Sequence, residues 1–339
     1  MKIRENINLA SLTTMRISCN ARFLLEINSP EEIPAAINFA KEKKLPWFVL
    51  GGGSNIIARK EFNGVIIQNK IKGFREIFSD KNSAAYQIGA GENLDQTIAK
   101  FVDLGLSGME FLSLIPGVVG ATPVQNVGAY GADISQVMTK LTAFNTETNE
   151  FEILKNADCN FSYRNSIFKS RENRKYIIAN ITVKLSRKNP QPPFYGSLEK
   201  YCSDNKITEF TPKNSRSAVI AIREEKLPDP AKIPSAGSFF KNPIISEKFA
   251  KNFLAKNPSA PHFPMPENEV KLAAGWLMDQ TNLKGFEKFG FKIYPKNALV
   301  ITNIEPTNTA ENLAKFRLEI VKKVHEKFNI TLEQEPENL

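Results

Sequence analysis

Residues 51–55, Gly51-Gly52-Gly53-Ser54-Asn55, have the composition of a loop that wraps around a phosphate group. Glycine permits positive φ angles and a close backbone approach, so several N–H groups can point at one anion. A tight turn without a ligand is the alternative, and these five residues do not decide between the two. The loop is not of the Walker type, because no Gly-Lys-Ser or Gly-Lys-Thr follows it.

Residues 115–131 form an apolar, glycine-rich stretch that contains the amide pair Gln125-Asn126. Such a stretch can enclose a flat ring system while its amides and backbone groups bond the polar edge of the ring. The alternative is a structural Ω-loop. Residues 89–94 begin like a dinucleotide fingerprint but have Leu94 where the third glycine belongs, so they predict a turn into a helix.

Histidine and cysteine chemistry is poorly supported. The three cysteines, Cys19, Cys159 and Cys202, are far apart and lack metal-binding spacing, which argues against a disulfide framework and a zinc site. Of the two histidines, His325 lies in a helical pattern and is expected at the surface. We therefore expect no metal and no histidine base.

Strand-like and helix-like segments alternate through the first half of the chain. Residues 47–50 form a short apolar strand directly before the glycine loop. Ser29, followed by proline and two glutamates, has the pattern of a helix N-cap. Further patterns predict strands at 23–27, 65–67, 141–144 and 176–179, a helix at 93–104 ending at Gly105, and a long helix at 309–328.

The formal net charge of +9 raises the question of nucleic acid. Basic and acidic residues are interspersed, as in Lys41-Glu42-Lys43-Lys44, and such runs are usually solvated faces. The positive field equally suits a small phosphorylated ligand. The sequence contains no apolar run of membrane-spanning length and no apolar signal segment. We expect a cytoplasmic protein without nucleic-acid or membrane partners.

Taken together, the motifs resemble the UDP-N-acetylenolpyruvoylglucosamine reductase family. The matching stretches are collinear and cover nearly the whole chain: residues 51–55, 115–131, 161–169, 226–230, 236–243 and 273–280. The segment at 193–198, with Tyr195, is similar to the tyrosine loop of the longer subfamily, which closes over substrate. A linker aromatic packed on the surface is the alternative for Tyr195.

The resemblance implies an α+β fold. An FAD-binding domain of the PCMH/vanillyl-alcohol-oxidase type would have two lobes, residues 1–70 and residues 71–213, with the tyrosine loop at 189–200 in the second. An α+β substrate-binding domain would follow at 214–329, and the tail 330–339 would pack near the active site. FAD would be held non-covalently by residues of two segments: Gly51, Gly52, Gly53, Ser54, Asn55, Pro116, Gly117, Gly120, Ala121, Gln125, Asn126 and Gly128.

The reaction implied is the reduction of UDP-N-acetylglucosamine enolpyruvate by NADPH through FAD, in a monomer. Arg164 would stabilise the carboxylate where negative charge develops, and Ser238 would protonate C2. Glu335 would orient or stabilise the enolic state. Tyr195, Lys226 and Asn242 would bind the substrate. The alternatives are a surface salt bridge for Arg164, a turn residue for Ser238 and solvated charge for Lys226.

The C-terminus departs from the family pattern. Family chains commonly end Leu-Glu-x-Glu-Val-Arg, whereas this chain reads Leu332-Glu333-Gln334-Glu335-Pro336. Glu335 matches by spacing, but the proline leaves Glu333 as the second candidate for the catalytic glutamate.

Three other classes of function stay open on the sequence. Another FAD enzyme of the same fold, oxidising alcohols or sugars, would share the glycine loop without needing Arg164, Ser238 and a C-terminal glutamate together. A non-catalytic nucleotide-sugar binder would purify without flavin. A nucleic-acid binder would retard DNA in a salt-dependent manner.

Overall fold

A computed structural model describes residues 1–58, 61–169 and 174–339. The chain forms two compact units. The first comprises Met1–Ile7, Ala21–Gly52 and Asn63–Glu225, and the second Asn8–Asn20, Gly53–Phe62 and Lys226–Leu339. The chain therefore passes from one unit to the other inside the glycine loop. The proposed division into two lobes and a substrate domain stays a prediction.

The first sheet of the first unit has the strand order β1-β2-β5-β3, with β3 and β5 parallel. Its strands are β1 (Lys2–Asn8), β2 (Asn20–Ile27), β3 (Trp47–Leu50) and β5 (Glu61–Asn69). Helix α1 (Glu32–Glu42) covers this sheet with the predicted stripe of Ile33, Ala36, Ile37 and Ala40, all fully buried.

The predicted N-cap at Ser29 is wrong, because α1 begins three residues later. Residues 29–33 form a turn in which the N–H of Glu32 bonds the Ser29 carbonyl and that of Ile33 bonds the Pro30 carbonyl. The Glu32 carboxylate reaches back to the N–H of Asn28 at 2.7 Å. Backbone carbonyls thus satisfy donors that a serine cap would otherwise serve.

The second sheet of the first unit is antiparallel, in the order β11-β10-β12-β7-β6. Its strands are β6 (Phe74–Ser79), β7 (Ser83–Gly89), β10 (Met138–Asn145), β11 (Glu150–Lys155) and β12 (Tyr176–Ser186). Helix α2 (Leu94–Asp103) buries Leu94, Ile98 and Phe101 in the core of this sheet. Asn93 is the N-cap of α2, and Gly105 follows the helix with φ +69°, as predicted for its end.

A pair of helices completes the first unit: α3 (Gly196–Asp204) and α4 (Pro212–Lys226). Their buried cluster includes Leu198, Cys202 and Val219, and Phe111 and Tyr130 pack against it. The predicted tyrosine loop therefore leads directly into α3.

The second unit contains small antiparallel sheets around one apolar cluster. β13 (Ser235–Ser238), β17 (Glu287–Lys288), β18 (Phe291–Ile293) and β19 (Val300–Asn303) form a sheet in the order β13-β19-β18-β17. β14 (Ile244–Ser246), β15 (His262–Met265) and β16 (Glu269–Leu272) form another. The helices are α5 (Glu247–Lys256), α6 (Ala274–Asp279) and α7 (Ala310–Phe328), the last matching the predicted long helix.

Two pairs of short strands remain among the described residues. β8 (Gly128–Ala129) pairs with β9 (Ala132–Asp133), and β4 (Ile56–Ile57) pairs with β20 (Glu337–Asn338) near the C-terminus. In the part of the chain that the structure describes, every helix is too short or too polar to cross a membrane.

Candidate active site

The first half of the glycine loop lies against the predicted ring-enclosing segment. A Cβ on Gly52 would lie 2.6 Å from the Gly117 Cα, and one on Gly51 would lie 2.8 Å from a methyl of Val118. The two segments predicted to bind FAD therefore pack backbone against backbone. Any side chain at position 52 would force them apart.

The second half of the loop is equally tight. Gly53 has φ +63°, and a Cβ there would lie 2.0 Å from the Leu12 carbonyl oxygen. The Gly53 carbonyl accepts a hydrogen bond from the N–H of Thr14 at 3.1 Å. Among the described residues, the N–H groups of Gly52 and Gly53 donate no hydrogen bond. Unpaired N–H groups on a glycine turn fit a diphosphate such as that of FAD.

The ring-enclosing segment, residues 115–131, is folded around the turn at 89–94. Gly120 donates to the Ala90 carbonyl at 2.8 Å, and a Cβ on Gly120 would lie 2.4 Å from that of Ala90. The Leu94 N–H, in turn, bonds the Gly117 carbonyl. The interpretation of residues 89–94 as a turn into a helix is confirmed. This turn shapes residues 115–131, which we call the flavin segment because they are predicted to bind FAD.

Arg164 lies on a tight turn that is attached to the flavin segment. Ser162 and Asn165 exchange two backbone hydrogen bonds, and Arg164 between them has φ +53°. The half-buried guanidinium donates to the Gly128 carbonyl at 2.9 Å. This bond joins a predicted catalytic cation to a predicted FAD-binding residue.

Two further hydrogen bonds strengthen this attachment. The buried Asn126 amide donates to the Ser162 carbonyl at 3.3 Å, and the Ser166 hydroxyl donates to the Val124 carbonyl at 2.6 Å. Val124 is thus bonded to Ser166, Asn126 to Ser162 and Gly128 to Arg164. We call these three bonds the arginine clamp.

Tyr195 is the residue before α3, and its side chain is 44% exposed. Its ring meets that of Tyr130 edge to face, with centroids 6.1 Å apart. The Tyr130 hydroxyl interacts electrostatically with the Arg223 guanidinium of α4. Burial raises the pKa of Tyr130, and the Arg223 guanidinium partly offsets this. The predicted substrate tyrosine therefore contacts the flavin segment.

Tyr130 and Arg223 were not predicted from the sequence. Tyr130 lies inside the glycine-rich segment, where the pattern drew attention to glycines and amides. Arg223 lies three residues before Lys226 in a charged helix end, where a solvated side chain is the usual expectation. In the part of the chain that is described, the buried Nε of Arg223 has no hydrogen-bond partner.

In the second unit, Ser238 is the last residue of β13, paired with Val300 across an irregular register. It is half-buried and follows Gly237, which has φ +70°. The next residues, Phe239 and Phe240, are buried in the core, and the Phe239 N–H bonds the Leu299 carbonyl at 2.7 Å. The strand therefore fixes the backbone on which the Ser238 hydroxyl is carried.

The C-terminal tail pairs with the residues that follow Ser238. The Glu335 N–H donates to the Phe239 carbonyl at 2.9 Å, and the Lys241 N–H donates to the Glu333 carbonyl at 2.9 Å. Glu335 is half-buried beside Phe239. Glu333 has a 75% exposed side chain that forms an ion pair with Lys241 at 3.1 Å.

The two remaining predicted substrate residues differ in their surroundings. The Asn242 side-chain oxygen accepts the N–H of Ala274 at 2.9 Å and so caps α6. Lys226 is exposed at the end of α4. The first unit thus groups Arg164 and Tyr195 with residues 128–130, and the second holds Ser238, Asn242 and Glu335. Their roles stay predictions.

Comparisons with known proteins agree with this architecture. Residues 21–147 match the family model described as an FAD binding domain. Residues 229–339 match the model described as the C-terminal domain of UDP-N-acetylenolpyruvoylglucosamine reductase. The prediction of an α+β flavoprotein with a second, C-terminal domain is confirmed.

Relatives named UDP-N-acetylenolpyruvoylglucosamine reductase match over nearly the full length. One from Neisseria gonorrhoeae is 37% identical over 335 residues, 98% of this chain and 96% of its own length. One from Flavobacterium johnsoniae is 37% identical over 337 residues, 99% of each. The crystal structure of the reductase from Thermus caldophilus has the same fold, with TM-score 0.68, 22% identity and coverage of 100% and 99%.

The fold and the comparisons define the class first: the chain is an FAD-dependent oxidoreductase. Within that class, it belongs to the UDP-N-acetylenolpyruvoylglucosamine reductase family.

Proposed function

We propose that this chain reduces UDP-N-acetylglucosamine enolpyruvate to UDP-N-acetylmuramate in peptidoglycan precursor synthesis, with NADPH as the electron donor. The observation that carries the proposal is the backbone hydrogen bond between Glu335 and Phe239, the neighbour of Ser238. It brings the tail that bears a carboxylate to the strand that bears the proposed proton donor.

FAD, when bound, supplies the hydride chemistry between NADPH and the enolpyruvyl ether. The twelve predicted FAD residues are retained in the proposal, and the tight glycine contacts with unpaired N–H groups support it. Neither FAD segment contains histidine or cysteine, the residues usual for a covalent link. We therefore propose non-covalent binding.

Arg164 acts on the substrate carboxylate. When hydride adds to C3 of the enolpyruvyl group, negative charge moves to C2 and into that carboxylate. A guanidinium is always cationic and has a planar fork of donors that matches a carboxylate. The arginine clamp fixes its turn before substrate arrives, so little reorganisation accompanies the charge development.

Ser238 donates the proton that C2 needs. A lone hydroxyl is a weak acid, so a neighbouring group must polarise it and stabilise what it leaves behind. Glu335 is proposed to orient or stabilise the enolic state, directly or through water. The ion pair of Glu333 with Lys241 and its exposure support Glu335 over Glu333.

The substrate is held by Lys226, Asn242 and Tyr195. Lys226 is proposed near the uridine diphosphate, since its exposed cation can reach an anionic ligand. Tyr195 is proposed to close over bound substrate from its position before α3. We further propose NADPH as the co-substrate, a monomeric state, and a cytoplasmic location without membrane or nucleic-acid partners.

The decisive experiment starts from the visible spectrum of the purified protein. We expect flavin absorption near one FAD per chain, with all colour released into solution on acid precipitation. NADPH should then be consumed anaerobically in equal amount to added enolpyruvyl substrate. Oxygen consumption with a sugar or alcohol would instead indicate an oxidase, and a colourless protein that binds uridine nucleotides would indicate a binding protein.

A further inference from the structure

Backbone hydrogen bonds join the proposed catalytic segments of the second unit into a closed ring of contacts. The N–H of Thr14 bonds the Gly53 carbonyl, and the Thr14 carbonyl accepts the N–H of Ser235 at 3.0 Å, where β13 begins. β13 leads to Phe239, which is bonded to Glu335. From there the tail returns to the glycine loop, because the Glu337 N–H donates to the Asn55 carbonyl at 2.9 Å.

Residues 337–339 complete this ring of contacts. β20 runs parallel to β4, and the N–H of Leu339 bonds the Ile57 carbonyl at 3.0 Å. Ile57 is itself buried in the core of the second unit. Upstream of Glu335, the buried side chain of Leu332 anchors the tail in the same core. Glu335 is therefore held from both sides.

Pro336 fits this arrangement without loss of a bond. The N–H groups of residues 335, 337 and 339 donate to the carbonyls of Phe239, Asn55 and Ile57, respectively. Position 336 falls between two of these donors, where a missing N–H interrupts nothing. The Gln334 side chain also donates to the Pro336 carbonyl at 2.7 Å, bridging across Glu335.

We propose that residues 337–339, which include β20, are a positioning element for Glu335 and for the glycine loop at Asn55. Without its bonds to Asn55 and Ile57, the backbone that follows Glu335 would lose the anchors that the structure describes for it. The same bonds hold the loop on which FAD is proposed to lie. The inference rests on the proposed function for its catalytic part, and on FAD binding alone for its loop part.

The test compares Glu337→Pro with Glu337→Ala in the full-length holoenzyme. Both variants lose the carboxylate, but only the proline variant loses the N–H that bonds Asn55. With saturating FAD, Glu337→Pro should reduce enolpyruvyl substrate about tenfold more slowly, since small misplacement of a catalytic group is costly. Its oxidation of NADPH should stay within about twofold, and its FAD dissociation constant should rise about fivefold for one lost hydrogen bond. Glu337→Ala sets the baseline for loss of the carboxylate, and these changes in Glu337→Pro are measured against it.

Equal behaviour of the proline and alanine variants would overturn the proposal, and so would equal slowing of both half-reactions. If Glu337→Pro does not fold, Leu339→Pro removes the N–H that bonds Ile57 and should give the same pattern more weakly; parent-like values would again overturn it. A parent that binds FAD but leaves the enolpyruvyl substrate unused would contradict the proposed function. The FAD affinities of the variants would still test the strand.

Discussion

The Ser238 hydroxyl is needed only when C2 of the substrate takes up a proton. We therefore expect Ser238→Ala to oxidise NADPH at nearly the parent rate and to reduce the enolpyruvyl substrate about 10²- to 10⁴-fold more slowly, the usual contribution of general acid catalysis. Stopped-flow absorbance of the flavin band follows each half-reaction separately.

Ser246→Ala is a matched control for this variant, because it removes a serine hydroxyl that caps α5 in the same unit. It should lower the melting temperature and leave both half-reactions intact. If Ser238→Ala reduces the substrate as fast as the parent does, Ser238 is not the proton donor.

Glu335 and Glu333 are two residues apart on the tail but differ in their surroundings. Glu335→Gln should slow the reduction of substrate about 10²-fold, since it removes the carboxyl group proposed to orient or stabilise the enolic state. Glu333→Gln loses only an exposed ion pair with Lys241 and should change the free energy of unfolding by less than about 1 kcal/mol. Single-turnover rates of both variants decide the assignment. A disabled Glu333→Gln beside an active Glu335→Gln would reverse it.

The glycine loop is held in place because its backbone at Gly52 packs against the backbone of Gly117. Gly52→Val should yield protein largely without FAD, since its Cβ would lie 2.6 Å from the Gly117 Cα. Gly196→Val is the matched control: no atom lies within 4 Å of a Cβ built there. The ratio of flavin to protein absorbance measures the outcome. Full FAD content in Gly52→Val would mean that the loop moves freely and does not shape the site.

Elements with local signals were predictable, whereas their long-range attachments were not. Asn93 and Thr309 each bond an N–H of the first turn of their own helix, so the start of α2 and of α7 could be inferred from adjacent residues. Ser29 has the same kind of pattern, but competing backbone bonds and the Glu32 carboxylate satisfy the donors there, so α1 begins only at Glu32. A local pattern indicates a cap without excluding a neighbouring turn that satisfies the same donors.

The candidate site divides in the same way. The composition of residues 51–55 and 115–131 drew attention to two segments that the structure packs together at Gly52 and Gly117, and their binding of FAD stays a prediction. The arginine clamp joins residues 36 to 42 positions apart, and the tail bonds residues near the glycine loop, so no periodic pattern encodes either contact. Tyr130 and Arg223 were missed for this reason: their importance comes from a contact between α4 and the flavin segment.

The stability of the first unit depends on a carboxylate that connects three of its segments. The carboxylate of Asp95 on α2 accepts hydrogen bonds from both terminal nitrogens of Arg216 on α4, at 2.6 and 3.0 Å. It also accepts the N–H of Leu114, the residue before the flavin segment. Burial alone would raise the pKa of Asp95, but the hydrogen bonds from Arg216 and Leu114 outweigh it and lower the pKa below the ordinary 3.8.

A depressed folded-state pKa means that the folded protein binds this proton less readily than the unfolded chain does. The stabilisation from Asp95 is therefore complete well above pH 3.8 and is lost as the pH falls below that value. Asp95→Asn should lower the free energy of unfolding at pH 7 by about 1–3 kcal/mol, because Arg216 loses its charged partner. The difference from the parent should shrink on acidification.

Urea denaturation at pH 7 and near pH 3 measures this difference. Asp103→Asn, at the exposed end of the same helix, is the control and should match the parent at both pH values. Because Asp95 also holds Leu114, Asp95→Asn should bind FAD more weakly at pH 7, whereas Asp103→Asn should not. A pH-independent loss of stability in Asp95→Asn would show that its effect comes from packing, and the proposed electrostatic link between α2, α4 and the flavin segment would be wrong.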